Sequence, residues 1–246
     1  MEGSIEEIVV FTPEQIHDFV DVTGDTNPIH QGAKPIVPGL LLGLGAKTAV
    51  EDRTLPSRYC REFKLDFRKI IYAGKEVKRA LSPVKGAYPL DASVAYSDGV
   101  DISAQCSLKY AVEAPKPEKS SGEHQYRVTN HRLWLSTEAA TCISLVLGKT
   151  EPDYEALAIG LLSKVLLEHG KELIETNAKE GRTPAYLAQR FTFPERALLE
   201  EQELCAQAST RVNGNQTKVV TKVQMMSEGQ PVYWCQTHIV FVAPNS

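Results

Sequence analysis

Along the stretch Arg61–Lys69 apolar side chains return every second residue, at Phe63, Leu65 and Phe67. That period belongs to a β-strand with one buried face. Comparable runs at Glu76–Pro83, Leu90–Ser97 and Ile102–Val112 predict further strands. Ser97-Asp98-Gly99 and Asn213-Gly214-Asn215 suit the turns of antiparallel hairpins. Ahead of the strands the pattern changes. "GLLLGLGAKTAV" (Gly39–Val50) has no polar face, and a helix apolar all round must be buried. Gly39, Gly43 and Gly45 lie inside it, each costing about 1 kcal/mol relative to Ala. Close approach of a sheet is the expected compensation; a glycine-rich buried strand is the alternative. Long antiparallel strands with one apolar helix predict an α+β unit whose sheet wraps that helix.

The plan occurs twice. "PGLLLGLGAK" (Pro38–Lys47) is echoed by "AIGLLSKVLLEHG" (Ala158–Gly170). The bent strand pattern Cys60–Val77 is echoed by Ala188–Leu204, and the turn-then-strand pattern Tyr96–Val112 by Met226–Val242. The separations are roughly 120–130 residues, and the shared order carries more weight than any one echo. "VEAPKPEKSSGEHQ" (Val112–Gln125) is polar and reads as a linker. Two units are expected, over 1–112 and 125–246, joined by 113–124.

Composition narrows the function classes. The 246 residues are 42% hydrophobic and 24% charged, ordinary for a globular chain. A net charge of −4, without an Arg-rich run, argues against a nucleic-acid surface. Five widely spaced cysteines without a CxxC pattern suggest free thiols, not disulfides or a zinc site. "MEGSIEEIVVFTPEQ" lacks the features of a leader, and no run of 18 apolar residues would span a membrane. Cytoplasmic residence is expected.

Candidate chemistry concentrates in "DTNPIH" (Asp25–His30). Pro28 forbids regular helix and drives Asn27 toward extended geometry. The resulting bend could turn Asp25 and His30 toward one point. A carboxylate and an imidazole can hold a water between them, and histidine can move its proton near neutral pH. The competing reading is a helix C-cap followed by an Asx turn. Shortly afterwards Pro38-Gly39 opens the apolar helix. Its unpaired N–H groups and positive dipole end could polarise a carbonyl.

"FVDVTGDTNPIH" (Phe19–His30) resembles the signature of the MaoC-like, type-2 enoyl hydratase family. "IVPGLLL" (Ile36–Leu42) is similar to the start of that family's central helix, and "FKLDFRKIIYAGKEV" (Phe63–Val77) to its following strand. The resemblance covers roughly residues 5–112; the second half joins it only through the echoes. It implies a hot-dog fold, an antiparallel sheet wrapped around one helix, here doubled into a pseudo-dimer within one chain. The implied reaction is (R)-specific hydration of trans-2-enoyl thioesters of CoA or acyl carrier protein, or the reverse dehydration. Asp25 and His30 would be catalytic, and the Gly39 N–H would polarise the thioester carbonyl. Asn27, Pro38 and Leu40 would shape the loop and the substrate site. No cofactor or metal is implied, the expected partner is the thioester substrate, and pairing into a homodimer is left open.

Two departures qualify the resemblance. Only "QGAKP" (Gln31–Pro35) separates His30 from Ile36, where the family has a longer loop. The intact motif also lies in the first half, whereas two-domain eukaryotic relatives carry it in the second. The second half is therefore expected to supply a partner surface or acyl tunnel. Trp134, Tyr233 and Trp234 are candidate walls, with core packing as the plainer role. His17, His124, His131, His169 and His238 show no ligand spacing. Glu168 and His169 are expected at the end of the second central helix, where Glu168 could replace a catalytic acid. Glu195–Leu204 reads as a solvated strand edge and bend. Lys34, Arg61 and Lys64 are candidates for CoA phosphates. A hot-dog thioesterase and a non-catalytic acyl-binding protein are the alternatives.

Overall fold

The alternating run around Phe63 becomes a strand with Phe63 and Leu65 fully buried. The computed structural model describes residues 4–53, 59–82, 90–111, 127–193, 200–212 and 218–242. In the first half the elements are β1 (Ile5–Val10), α1 (Pro13–Thr23), α2 (Gly39–Glu51), β2 (Tyr59–Phe67), β3 (Glu76–Leu81), β4 (Leu90–Asp98) and β5 (Asp101–Ala111). In the second they are β6 (Arg127–Leu135), α3 (Thr137–Val146), α4 (Tyr154–Gly160), α5 (Leu162–Lys179), β7 (Thr183–Thr192), β8 (Gln202–Val212), β9 (Lys218–Ser227) and β10 (Gln230–Val242). The expected linker and the Asn213–Asn215 turn lie outside the described residues, as do His124 and the first half of Glu195–Leu204.

All ten strands form one antiparallel sheet in the order β1-β3-β4-β5-β2-β7-β10-β9-β8-β6. Adding five to each strand number of the first half and reversing the order yields the second half. The halves meet at β2 and β7, where Phe63 faces Phe191. Their rings stack at 5.0 Å with planes 16° apart. The three echoes thus mark equivalent elements of a double hot dog. One continuous apolar core runs beneath both halves.

The glycines of α2 show how the sheet reaches its helix. A Cβ on Gly43 would stand 2.2 Å from Cζ of Phe63, and one on Gly39 would stand 2.3 Å from Cζ of Phe67. Each aromatic ring occupies the space a side chain would need. A Cβ on Gly45 would meet the Tyr96 hydroxyl at 3.4 Å and Nη1 of Arg79 at 3.9 Å, both at ordinary contact distance. That hydroxyl donates to the Leu42 carbonyl at 2.9 Å. In the second half the buried Tyr233 hydroxyl donates to Ala158 at 2.7 Å. A strand tyrosine therefore pins a central-helix carbonyl on each side.

Besides β1, which the alternation did not predict, two features differ from the pattern-based expectation. Each half carries an additional early helix, α1 and α3. The former opens with a capping box between Thr12 and Gln15 and a proline in its first turn, and the latter is capped by Ser136. The second central helix is also divided. At Gly160 a Cβ would lie 2.6 Å from Thr23 Cγ2 and 3.0 Å from Ile143 Cδ1, so α1 and α3 crowd the junction between α4 and α5. α5 then continues through Gly170 to Lys179. Glu168 and His169 thus lie within it, not at its end. The helix continues because Val165, Leu166 and His169 form a buried face and Asn177 accepts the Arg182 N–H at its far end.

Candidate functional site

α1 ends at Gly24, which adopts φ +65°, a backbone state glycine enters at little cost. The chain turns there, and the Asp25 N–H donates back to Val20 at 3.0 Å. Oδ1 of Asp25 accepts the Asn27 N–H at 3.1 Å, and Oδ1 of Asn27 accepts the Ile29 N–H at 3.3 Å. Asn27 is extended, with φ −66° and ψ 117°, as a following proline requires. A single 3-10 turn, Pro28–His30, then carries the imidazole back toward Asp25.

Both side chains are buried, each at 6% exposure. Nε2 of His30 stands 3.7 Å from Oδ2 of Asp25. Nδ1 lies 2.7 Å from the Ile36 carbonyl. A carbonyl only accepts, so Nδ1 carries the hydrogen and Nε2 of the neutral ring presents a lone pair. The Asp25 carboxylate splits its work: Oδ1 holds the turn and Oδ2 faces the imidazole.

The short Gln31–Pro35 connection closes on itself through the His30–Ile36 bond and the Ile36 N–H to Ile29, at 2.9 Å. Val37 N–H donates to Ile71, Ala73 N–H donates to Pro35, and Ile36 bridges Tyr72. The segment is thereby strapped to the chain beyond β2. Pro38 follows as N-cap of α2, without a side-chain cap. The first helical N–H groups have no intrahelical partner by geometry and carry the positive end of the dipole. Gly39 is three residues beyond the carbonyl that His30 binds, so the two positions are at most about 10 Å apart along the chain. Leu40 and Pro38 are buried. Phe67, whose ring occupies the side-chain space of Gly39, joins the site without having been singled out from the sequence. Only the aromatic at the end of an alternating run hinted at it.

Other expected positions separate from this centre. Tyr233 is 1% exposed and packs against Phe191 and Phe193, a core residue. Trp134 is 57% exposed, and its Nε1 donates to Glu201 at 3.0 Å. It therefore walls no tunnel: outward positions alternate along β6, and Trp134 falls on one. Trp234 is half-buried. Lys64 is exposed and paired with Asp66 at 2.8 Å, and Lys34 is exposed; the Arg61 side chain lies outside the described residues. All five cysteines are free thiols. Burial pushes the Cys60 thiol well up, although Lys47 pulls the other way. His17 is exposed, while His131, His169 and His238 are hydrogen-bonded to side chains. Among the described residues no group of three or more His, Cys, Asp or Glu could hold a metal. No described helix is long and apolar enough to cross a membrane.

No family model matches the sequence, and no curated protein matches it in sequence. Solved structures do match in shape. A MaoC-like dehydratase superposes with a TM-score of 0.70 at 10% identity over 98% of each chain. A MaoC-like dehydratase from Phytophthora capsici gives 0.65 at 11% identity, covering 98% of this chain and 95% of the other. An acyl-CoA thioesterase II from Mycobacterium marinum gives 0.59 at 12% identity, over 87% and 92%. At such identities the likeness shows the double hot-dog fold.

Proposed function

We propose that this double hot-dog protein hydrates trans-2-enoyl thioesters to (R)-3-hydroxyacyl thioesters, or catalyses the reverse dehydration. The observation that carries this reading is the buried Asp25–His30 pair at 3.7 Å with Nδ1 of His30 committed to Ile36. Oδ2 of Asp25 and Nε2 of His30 are then both acceptors. A water seated against them donates both hydrogens and leaves its oxygen lone pairs free for C3. As the C3–O bond forms, one water proton passes to this pair and is then handed from it to C2, so the elements of water add across C2 and C3 and the pair returns to its starting state. Negative charge that develops on the thioester oxygen is stabilised by the N–H groups around Gly39. Asn27 holds the loop, while Pro38 and Leu40 fix the helix start. CoA or an acyl carrier protein serves as the handle of the substrate.

The test follows enoyl absorbance with crotonyl-CoA and longer enoyl-CoAs, together with the configuration of the product. Loss of absorbance with an (R)-3-hydroxy product supports the proposal. Unchanged absorbance across all chain lengths rejects it.

The likeness to an acyl-CoA thioesterase II over most of the chain favours a second reading. The same water would attack the thioester carbonyl and release the thiol. Free thiol appearing from saturated acyl-CoA, without loss of enoyl absorbance, identifies that reaction.

A further inference from the structure

The second half lacks an Asp-x-Asn-Pro-x-His loop, yet one of its side chains lies against the loop of the first. A Cβ built on Gly24 would stand 3.2 Å from Cδ of Lys164 and 3.7 Å from both its Cβ and Cγ. The methylene stem of Lys164, on α5, therefore runs along the left-handed turn immediately before Asp25. Its Nζ lies 3.9 Å from Oε1 of Glu168, one helical turn later. An isolated exposed pair of this kind is weak. Here Glu168 is itself tethered, because its Oε2 is 3.0 Å from Nδ1 of His131.

Behind His131 the tether continues into the interior. Thr129 Oγ1 lies 2.8 Å from Nε2 of His131 and 2.6 Å from Nδ1 of His169. Nε2 of His169 is 2.7 Å from Thr210, whose hydroxyl is 2.9 Å from that of Thr221. With both imidazoles neutral and Glu168 ionised, one proton fits each link. Thr221 donates to Thr210, Thr210 to His169, His169 to Thr129, Thr129 to His131 and His131 to Glu168. A carboxylate on a partly exposed helix face is thereby fixed by β6, β8 and β9.

We infer that Lys164 is a positioning residue for Asp25. Held by Glu168 and the chain behind it, its stem backs the Gly24 turn that aims the Asp25 carboxylate at His30. Glycine gives the turn its left-handed geometry but little stiffness, so rigidity has to come from what packs against it. A misplacement of about 1 Å by a change remote from the chemistry can cost on the order of 100-fold in rate. Through this side chain the second half acts on the site. The consequence for turnover rests on the proposed hydratase reading; the effect on geometry does not.

The experiment uses the intact chain and the variants Lys164→Ala, Lys164→Met and Glu168→Gln. The first readout is the set of His30 ring resonances by NMR, which needs no turnover. Lys164→Ala is expected to move them, Lys164→Met to leave them near their original positions because its stem is retained, and Glu168→Gln to shift them less than the alanine. The second readout is hydration of enoyl-CoA. There Lys164→Ala is expected to lower kcat about tenfold, with KM changed less than about twofold, and Lys164→Met to recover most of the loss. Unmoved His30 resonances in Lys164→Ala overturn the inference. If the chain shows no enoyl turnover, the hydratase reading fails, and the resonances still decide the positioning role. Should Lys164→Ala fail to fold, the same comparison is made with Lys164→Ser. A cycle with Gly24→Ala gives an independent check. If the stem occupies that space, the stability lost on Gly24→Ala is smaller in the Lys164→Ala background; strictly additive losses count against the contact.

Discussion

Oδ2 of Asp25 lies 3.7 Å from Nε2 of His30, while Oδ1 of the same carboxylate accepts the Asn27 amide. The helix-cap and proton-transfer interpretations of this loop are therefore compatible. Gly24 caps α1, two Asx-type bonds set the bend, and the bend brings the imidazole to the oxygen left over. The turn is the scaffold of the candidate site.

Asp25→Asn separates the two duties. The amide oxygen can still accept the Asn27 N–H, but the charge facing His30 is gone. Hydration of crotonyl-CoA or a longer enoyl thioester should fall at least about 10²-fold with the fold retained by circular dichroism. His30→Ala should lose at least as much activity. It should also lose about 1 kcal/mol of stability, since the Ile36 carbonyl is deprived of its donor. Full activity in both variants removes the pair from the mechanism.

The two interior glycines Gly43 and Gly45 should respond oppositely to alanine. At Gly43 the new methyl meets the Phe63 ring at 2.2 Å. Overpacking of this kind costs about 1–3 kcal/mol. At Gly45 the nearest atom is 3.4 Å away, and the gain in helix propensity is worth up to about 1 kcal/mol. Denaturant midpoints of the two variants, compared at equal slope, check the contrast.

Lys47 is a buried cation held between two carboxylates. Its buried ammonium lies 2.8 Å from Glu51 on α2 and 3.1 Å from Glu155 on α4, so it ties the two halves together. Burial disfavours its charge, but Glu155 and Glu51 outweigh burial and hold it protonated well above the ordinary lysine range. Burial, opposed by Lys47, pushes Glu51 upward. Lys47→Met should cost about 3 kcal/mol, because two carboxylates lose their cation. Adding Glu51→Gln and Glu155→Gln should return part of that loss, measured by chemical denaturation. Equal stability of Lys47→Met and the parent chain would sink this account.

Glu7 gives a pH signature. Partial burial raises its pKa, but hydrogen bonding and charge from Arg79, with Arg53 beside it, bring it below the usual carboxylate value. The unfolded chain then binds the proton more tightly than the folded one. The stabilisation is fully present above the ordinary glutamate range and is lost as pH falls through the lower folded value. Between neutral pH and about pH 3, the parent should lose more stability than Glu7→Gln. Parallel melting-temperature profiles for the two proteins would contradict it. Glu7 holds edge strand β1 to β3 through Arg79, which also reaches the Gly45 carbonyl.

Much of the fold was legible because its signals are local. Period-two alternation located β2, β3, β4 and β5 to within a few residues but not β1, and the absence of any polar face located α2. The repeated order of patterns indicated two equivalent units. α1 was written just as locally, in Thr12-Pro13-Glu14-Gln15, but its amphipathic stripe is short. The break before α5 was not legible. It depends on how closely Thr23 and Ile143 approach Gly160, and those residues are far apart in sequence. The site divides along the same line. The types and spacing of Asp25, Asn27 and His30 are visible in the sequence, whereas the tautomer of His30 depends on the Ile36 carbonyl.

The sequence by itself determined the alternation, the apolar helix, the doubled plan and the polar turn, because each follows from neighbouring residues obeying backbone sterics and burial. Tertiary structure alone decided that Phe63 meets Phe191, that Phe67 takes the place of a side chain on Gly39, and that Lys164 of one half lies along Gly24 of the other. Those contacts join residues that are distant along the chain. They arise only when one continuous core forces both halves of the sheet and their helices to share the same space.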